Sequence, residues 1–326
     1  MSSQQSEDKF LQLPDNRTLV YQDIGDASSS TVVLFFHGAF GVGHASLLQP
    51  VLKEKGVHFI APTLPGWGQS TPRPTNQPYN VCIANTTSAL LDHLHPNDPD
   101  LKIYISGGSF GTVPAQILYG APFDLFPYGR KVVGCLILAP FSPYKYHPEQ
   151  SKYMTFQNWV SVGTPTQIVP FRLVQRVIVW LIRRKLQNEG KAEAFVRKVL
   201  FETMKEDERA AYAEWREKFG LKEGDFERKM GSNMVKSIAH SSEGCLEMAD
   251  AIHSDWGFNP DTLNDEHNKR PIVIATSAGD TMAPDGMAVW LNDHYKNAHL
   301  ERVDGGHIAA LFHLNDIWKK LFELTQ

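Results

Sequence analysis

Leu101-Lys102-Ile103-Tyr104-Ile105-Ser106-Gly107-Gly108-Ser109-Phe110-Gly111 carries a buried apolar strand straight into a serine flanked by glycines, and Thr112 to Tyr119 continues it as a helix-compatible stretch. A serine at this place needs a tight, strained turn, which small neighbours permit. The turn lifts the hydroxyl off the sheet, and the helix N-terminus beneath it favours developing negative charge. A G-x-S-x-G string alone arises by chance about 0.1 times in a chain of this composition and length, so its weight comes from following a strand. The plain alternative is a glycine-rich strand-to-helix turn with no chemistry.

Working outward, Thr31 to Phe36 is a short apolar run rich in β-branched residues that ends at His37-Gly38, as a strand covered on both faces should. The pattern recurs at Val57 to Ala61, Leu101 to Ser106, Val132 to Leu138 and Pro271 to Thr276, with weaker signals at Leu19 to Asp23 and His299 to Val303. Helical patterns fall between, over Val81 to Leu94 and Ile308 to Leu324. Strands alternating with helices predict an α/β fold with a mostly parallel sheet covered by helices.

The alternation stops between Pro143 and Lys269, so residues 143–269 read as an inserted helical cap on a core of residues 1–142 and 270–326. From Arg183 to Met230, 24 of 48 positions are charged, with Phe195, Val199, Trp215 and Phe219 spaced among them, which predicts amphipathic surface helices. Phe171 to Leu186 differs: Val177 to Ile182 is apolar throughout and Arg172, Arg176, Arg183, Arg184 and Lys185 bracket it. A lid helix packed over a pocket is the favoured reading, and an interfacial membrane helix the other.

The 326 residues hold 42% hydrophobic and 21% charged residues, enough apolar material for a sizeable core and too much for a disordered chain. A net charge of −4 with no basic domain argues against nucleic acid as a partner. Cys82, Cys135 and Cys245 stand far apart and predict buried, reduced thiols rather than a metal site or disulfide framework. Met1 to Leu13 lacks the basic-then-apolar pattern of a secretory signal, and no apolar run approaches the roughly 20 residues of a membrane span. A soluble, cytoplasmic chain is therefore expected.

A serine hydroxyl needs a histidine base and a third group to orient that base. Among 13 histidines, His307 in Gly305-Gly306-His307 follows the last strand signal directly, where α/β sheets gather their chemistry, whereas His313 falls inside the last helix and reads as structural or surface. Asp280, in Ser277-Ala278-Gly279-Asp280, likewise closes a strand and is preferred as the acid over Asp304 and Asp285. Backbone donors for an oxyanion are expected from Phe110 and from the loop His37-Gly38-Ala39-Phe40-Gly41, with Ala39 first and Phe40 second. His37 itself reads as a structural histidine of that loop.

With His37-Gly38, Pro65-Gly66-Trp67-Gly68-Gln69-Ser70 and the serine, aspartate and histidine motifs in that order, the chain resembles an α/β-hydrolase superfamily serine hydrolase with a helical cap. The resemblance covers about residues 10 to 142 and 270 to 326. It implies a cofactor-free enzyme, with an acyl-enzyme in its esterase, lipase, lactonase and peptidase branches. Serine at 109 departs from the aspartate nucleophile of the epoxide-hydrolase and haloalkane-dehalogenase branches. The elbow is similar to the Gly-Ser-Trp-Gly of proline iminopeptidases, but their HGGPG-type loop is replaced by His37-Gly38-Ala39-Phe40-Gly41.

The expectation is therefore a serine hydrolase using Ser109, Asp280 and His307 to cleave an ester, lactone or similar acyl bond of a mid-sized apolar small molecule, without metal or cofactor. Phe141, Tyr144, Tyr146, Phe156, Trp159, Trp180 and Trp256 are candidates to line its pocket. One alternative is a proline-iminopeptidase-like aminopeptidase in which Glu243, Glu247 or Asp255 holds the substrate ammonium, and another is a ligand receptor on the same fold. The expected partner is a small molecule, with a homodimer left open.

Overall fold

A computed structural model describes residues 7–326, so the first six residues of the stretch Met1 to Leu13 lie outside the described residues. Eight strands, β1 (Lys9–Gln12), β2 (Thr18–Gly25), β3 (Thr31–Phe36), β4 (His58–Pro62), β5 (Lys102–Gly108), β6 (Val132–Leu138), β7 (Ile272–Ser277) and β8 (Ala298–Val303), form one sheet in the order β1-β2-β4-β3-β5-β6-β7-β8. From β4 onward all neighbours are parallel, and β1 and β2 join antiparallel at one edge. The expected strands are all present within a residue or two. β1 escapes the sequence because its four residues are largely exposed and carry no apolar run.

Alternation along each strand divides the core into two faces. On β5, Ile103 and Ile105 join the larger cluster while Tyr104 points to the other, where it packs edge-on to Phe322 at 4.8 Å. Helices cover both sides: α1 (Pro50–Glu54), α2 (Tyr79–Leu94) and α3 (Thr112–Gly120) precede β6. Next come α4 (Phe156–Val162), α5 (Pro165–Ile168), α6 (Leu173–Lys185), α7 (Glu189–Val196), α8 (Glu206–Lys218), α9 (Asp225–Ala239), α10 (Glu243–His253) and α11 (Asp265–Asn268) between β6 and β7, and then α12 (Asp285–His294), α13 (Ala309–Phe312) and α14 (Leu314–Leu324). The single helix expected over Ile308 to Leu324 is two, because the chain turns at His313, which is exposed. Leu321 and Phe322 of α14 are buried against the sheet, each worth about 1.5–3 kcal/mol of transfer free energy.

The helical segment between β6 and β7 is tied back onto the turn after β4. The Gly244 N–H donates to Gly66 O at 3.0 Å and the Gly68 N–H donates to Ser237 O at 2.8 Å. Trp67, fully buried there, packs edge-on to Phe40 at 5.7 Å, and the Cα of Gly244 lies so close to its ring that no side chain would fit. The thiols of Cys82, Cys135 and Cys245 are all free and buried, and burial raises each above its ordinary value. No described helix is long and apolar enough to cross a membrane.

Candidate active site

β5 ends at Gly108, and Ser109 opens a single 3-10 turn, Ser109–Gly111, that leads into α3. Ser109 has φ 51°, the left-handed region that a non-glycine residue enters only under constraint. The constraint is visible. Thr112 Oγ1 donates to Ser109 O at 2.7 Å and accepts the Phe141 N–H at 3.2 Å, which pins the turn to the residues just after β6.

Asp280 and His307 arrive from the ends of β7 and β8, whose last residues, Ser277 and Val303, are paired in register. The Ser109 hydroxyl donates to His307 Nε2 at 3.1 Å, and the His307 Nδ1–H donates to Asp280 Oδ2 at 2.8 Å. The other carboxylate oxygen of Asp280, Oδ1, accepts the backbone N–H groups of Met282 at 2.8 Å and Ala283 at 3.0 Å. Its side chain is fully buried, so both oxygens are engaged and the carboxylate has one orientation. The competitors are elsewhere: Asp304 is exposed, and Asp285 is paired with Arg302 at 3.1 Å.

The loop after β3 runs beside the serine. A Cβ on Gly38 would stand 3.3 Å from the Ser109 Cβ, so glycine lets this loop approach, with Ala39 and Phe40 following directly and Phe40 at φ 56°. His37 is buried, donates from Nδ1 to Gly38 O at 2.8 Å and accepts the Leu64 N–H on Nε2 at 3.0 Å. Burial pushes its imidazole down to about 4, so it is a neutral strut between two loops. The Phe110 ring is buried beneath the turn.

A carboxylate that the sequence does not single out reaches this site from the helical segment. Glu208 on α8 is buried, and its Oε2 accepts the Gly306 N–H at 3.0 Å, one residue before His307. Burial raises its pKa above the ordinary carboxylate value, with the Gly306 N–H drawing it partly back. The sequence does hold a signal for it. Glu208, Tyr212 and Trp215 recur at helical spacing, and all three lie on the buried face of α8.

Other expectations need correction. Phe156 and Trp180 lie largely exposed on the outside of the helical segment, while Phe141, Tyr144 and Trp256 are buried in the main core. The helix expected over Phe171 to Leu186 begins at Leu173, with Phe171 and Arg172 before it at φ 57° and 52°. Its inner side, Val179 and Ile182, packs on the core, and the outer side does not. Among the proposed ammonium holders, Glu247 pairs with Arg73, Asp255 pairs with Lys145 at 2.6 Å, and Glu243 is exposed. A cleft of about 470 Å³ between α2 and α10 is lined by Arg73, Tyr79, Glu247 and Asp250, away from Ser109, Asp280 and His307. Among the described residues no three His, Cys, Asp or Glu side chains gather to hold a metal.

Solved structures share this architecture. A hydrolase from Pseudomonas aeruginosa superposes with a TM-score of 0.59 at 13% identity, over 98% of each chain. An esterase from Exiguobacterium antarcticum superposes at 0.58 with 15% identity, over 98% of this chain and 100% of that one. A bromoperoxidase from Bacillus anthracis also reaches 0.58, at 14% identity over 98% and 99% of the two chains. At such identities the likeness speaks for the fold alone. No curated protein matches the chain by sequence. The profile of the alpha/beta hydrolase family, however, matches residues 33–316, a span that runs from β3 past His307 and holds the serine, the aspartate and the histidine; the chain belongs to that family.

Proposed function

We propose that this protein is a cofactor-independent serine hydrolase that cleaves an ester, lactone or related acyl bond of a mid-sized apolar small molecule. The observation that carries the reading is the unbroken run of hydrogen bonds from the buried Asp280 carboxylate through His307 to the hydroxyl of a serine on a left-handed turn. Ser109 Oγ attacks the acyl carbonyl as His307 Nε2 takes its proton, and Asp280 steadies the imidazolium that forms. The carbonyl oxygen becomes an oxyanion facing the Phe110 N–H and an N–H from Ala39 or Phe40. Collapse of this intermediate breaks the bond to the leaving group, which takes the proton from His307. Water, deprotonated by the same histidine, then releases the acid and restores Ser109.

Residues 143–269 act in this reading as a lid over a core made of residues 1–142 and 270–326, with Glu208 bracing the histidine loop from the lid side. The ester and lactone reading is preferred to the aminopeptidase one because Glu247 and Asp255 are already neutralised by Arg73 and Lys145. The test is intact-mass labelling with a fluorophosphonate probe, beside Ser109→Ala and His307→Ala. Rapid single labelling that both variants lose is expected, followed by turnover of short-chain aryl esters in preference to a proline arylamide. Labelling that persists in Ser109→Ala refutes the mechanism, and a wild type that neither labels nor turns over ester favours a ligand receptor.

A further inference from the structure

Ten large hydrophobic side chains are conspicuously exposed among the described residues, and eight of them lie between Tyr153 and Leu181. Phe171 is 87% exposed, Phe156 78%, Ile168 71% and Trp180 57%. On α6, Leu173, Val177, Trp180 and Leu181 fall at helical spacing along one outward stripe, while Val179 and Ile182 face the core. Phe171 stands at the head of that stripe because it and Arg172 are both left-handed, an arrangement with no glycine to ease it. This strain holds an aromatic ring out in solvent, where it contributes no packing to the fold.

The charge of the same stretch is one-sided. From Gln150 to Asn188 the sequence has six Lys and Arg and no Asp or Glu, in a chain whose net charge is −4. Arg172 is paired with Asp250, and Arg183 donates to Ser242 Oγ. Arg176, Arg184 and Lys185 are exposed and have no acidic partner among the described residues, and the Arg184 guanidinium lies over the Trp180 ring at 4.9 Å. Aromatic and aliphatic side chains bordered by unneutralised cations suit one surface above others: hydrocarbon below, anionic headgroups at the rim.

We infer that the outer face of α4 to α6 docks onto an anionic lipid bilayer, with Phe171 and Trp180 entering the headgroup boundary and Arg176, Arg184 and Lys185 meeting the lipid phosphates and carboxylates. The docking is peripheral, since α6 has 13 residues and does not span. It also lies close to the site already described. Asn158, on the same α4 that exposes Phe156, donates to the carbonyls of Thr281 and Met282 in the loop that follows Asp280, the latter at 3.1 Å. The inference stands on the surface itself and holds whatever reaction Ser109 performs.

The experiment is flotation of the full chain with vesicles of phosphatidylcholine containing about one quarter phosphatidylserine, against pure phosphatidylcholine, at low and high salt. The protein is expected to float with the mixed vesicles, and added salt should release it. Partitioning of the double variant Phe171→Glu, Trp180→Glu should fall more than about tenfold, and each of Arg176→Gln, Arg184→Gln and Lys185→Gln should weaken it about fivefold. All five side chains are exposed, so unchanged thermal unfolding of the variants is expected and checks the fold. Failure of the wild type to float, or flotation that neither salt nor any variant alters, overturns the inference. So does a dimer in sedimentation that the same double variant dissociates while vesicles bind neither form, because a second copy would then cover this face.

Discussion

Gly107, Gly108 and Gly111 look equivalent in the sequence, but the structure predicts that two of them are indispensable and one is not. A Cβ on Gly107 would fall 2.2 Å from Gly111 O and 2.5 Å from Gly111 C. One on Gly111 would fall 2.1 Å from Phe36 O and 2.7 Å from His37 O. A carbon needs about 3.2 Å or more there, so either alanine must push backbone away by about 1 Å. The displaced groups cannot swing aside as a side chain would, since one is the end of β3 and the other the turn itself. Overpacking of this kind costs about 1–3 kcal/mol, and a shift of about 1 Å in a reacting atom lowers a rate about a hundredfold. A Cβ on Gly108, by contrast, would meet only Phe35 Cζ at 3.9 Å, and its backbone at φ −121° is extended. Gly108→Ala should stay within about 0.5 kcal/mol of the wild type. Urea unfolding gives the stabilities and the rate of fluorophosphonate labelling reports the position of Oγ. The reasoning is refuted if Gly107→Ala and Gly111→Ala keep both wild-type values, or if Gly108→Ala loses as much as they do.

Three further outcomes follow from the same geometry. Asp280→Asn keeps the oxygen that accepts from Met282 and Ala283 but turns a donor toward His307 Nδ1, which forces the wrong tautomer; labelling of Ser109 should slow by about 10⁴ with little change in unfolding. Glu208→Leu strands the Gly306 N–H, costing about 1–3 kcal/mol and slowing labelling, whereas Glu208→Gln keeps the acceptor and removes a buried charge. Because burial raises the Glu208 pKa, its contribution favours the fold at low pH and becomes a cost as pH rises through that raised value, so Glu208→Gln should gain on the wild type in urea unfolding at pH 7 relative to pH 4. His37 and His147 are both buried, and burial pushes each down to about 4. They are neutral when folded and bind protons when unfolded, so stability should fall as pH drops from about 6.5 toward 4, by up to about 1.4 kcal/mol per unit for each. His147→Phe should flatten that profile, and an equally steep one in the variant would exclude His147 as a cause.

The meeting of Ser109, Asp280 and His307 is legible in the sequence because each follows a strand that announces itself by burial, and because reading Ser109 as a nucleophile asks for a histidine and an acid beside it. β3, β5, β6 and β7 have apolar runs on both faces, which few other elements produce. β1 and the break at His313 carry no such signature. The helical segment is legible as helical and charged, but not in its orientation. An apolar run such as Val177 to Ile182 states that a helix has apolar surface on most sides without stating which side meets the core, and so Trp180 suits a pocket lining and a solvent face equally well. Glu208 is hidden for the opposite reason, since one carboxylate among 11 acidic residues between Arg183 and Met230 differs from the rest only in sharing a face with Tyr212 and Trp215.

Register explains why three residues so distant in sequence meet. Phe36 pairs with Gly107, Gly108 with Leu138, Leu138 with Ala275, and Ser277 with Val303, so the chain leaves each of these strands along one edge of the sheet. From that common level Ser109 is one residue beyond the end of β5, while Asp280 and His307 lie three and four residues beyond the ends of β7 and β8. The short excursion leaves Ser109 held by a strained turn rather than by a loop. The longer ones carry Asp280 and His307 across β6 to arrive beside it. β6 stays out of the way because Ala139, at φ 48°, turns the chain off the sheet immediately after Leu138 and into the helical segment. A slip of one residue in β7 against β8 would reverse which face each side chain addresses, and the 2.8 Å contact between Asp280 and His307 could not form. The hydrogen bonds among the three side chains thus depend on the register of the strands beneath them. Core substitutions that disturb the pairing of β7 with β8 should therefore slow fluorophosphonate labelling of Ser109 without touching any of the three side chains.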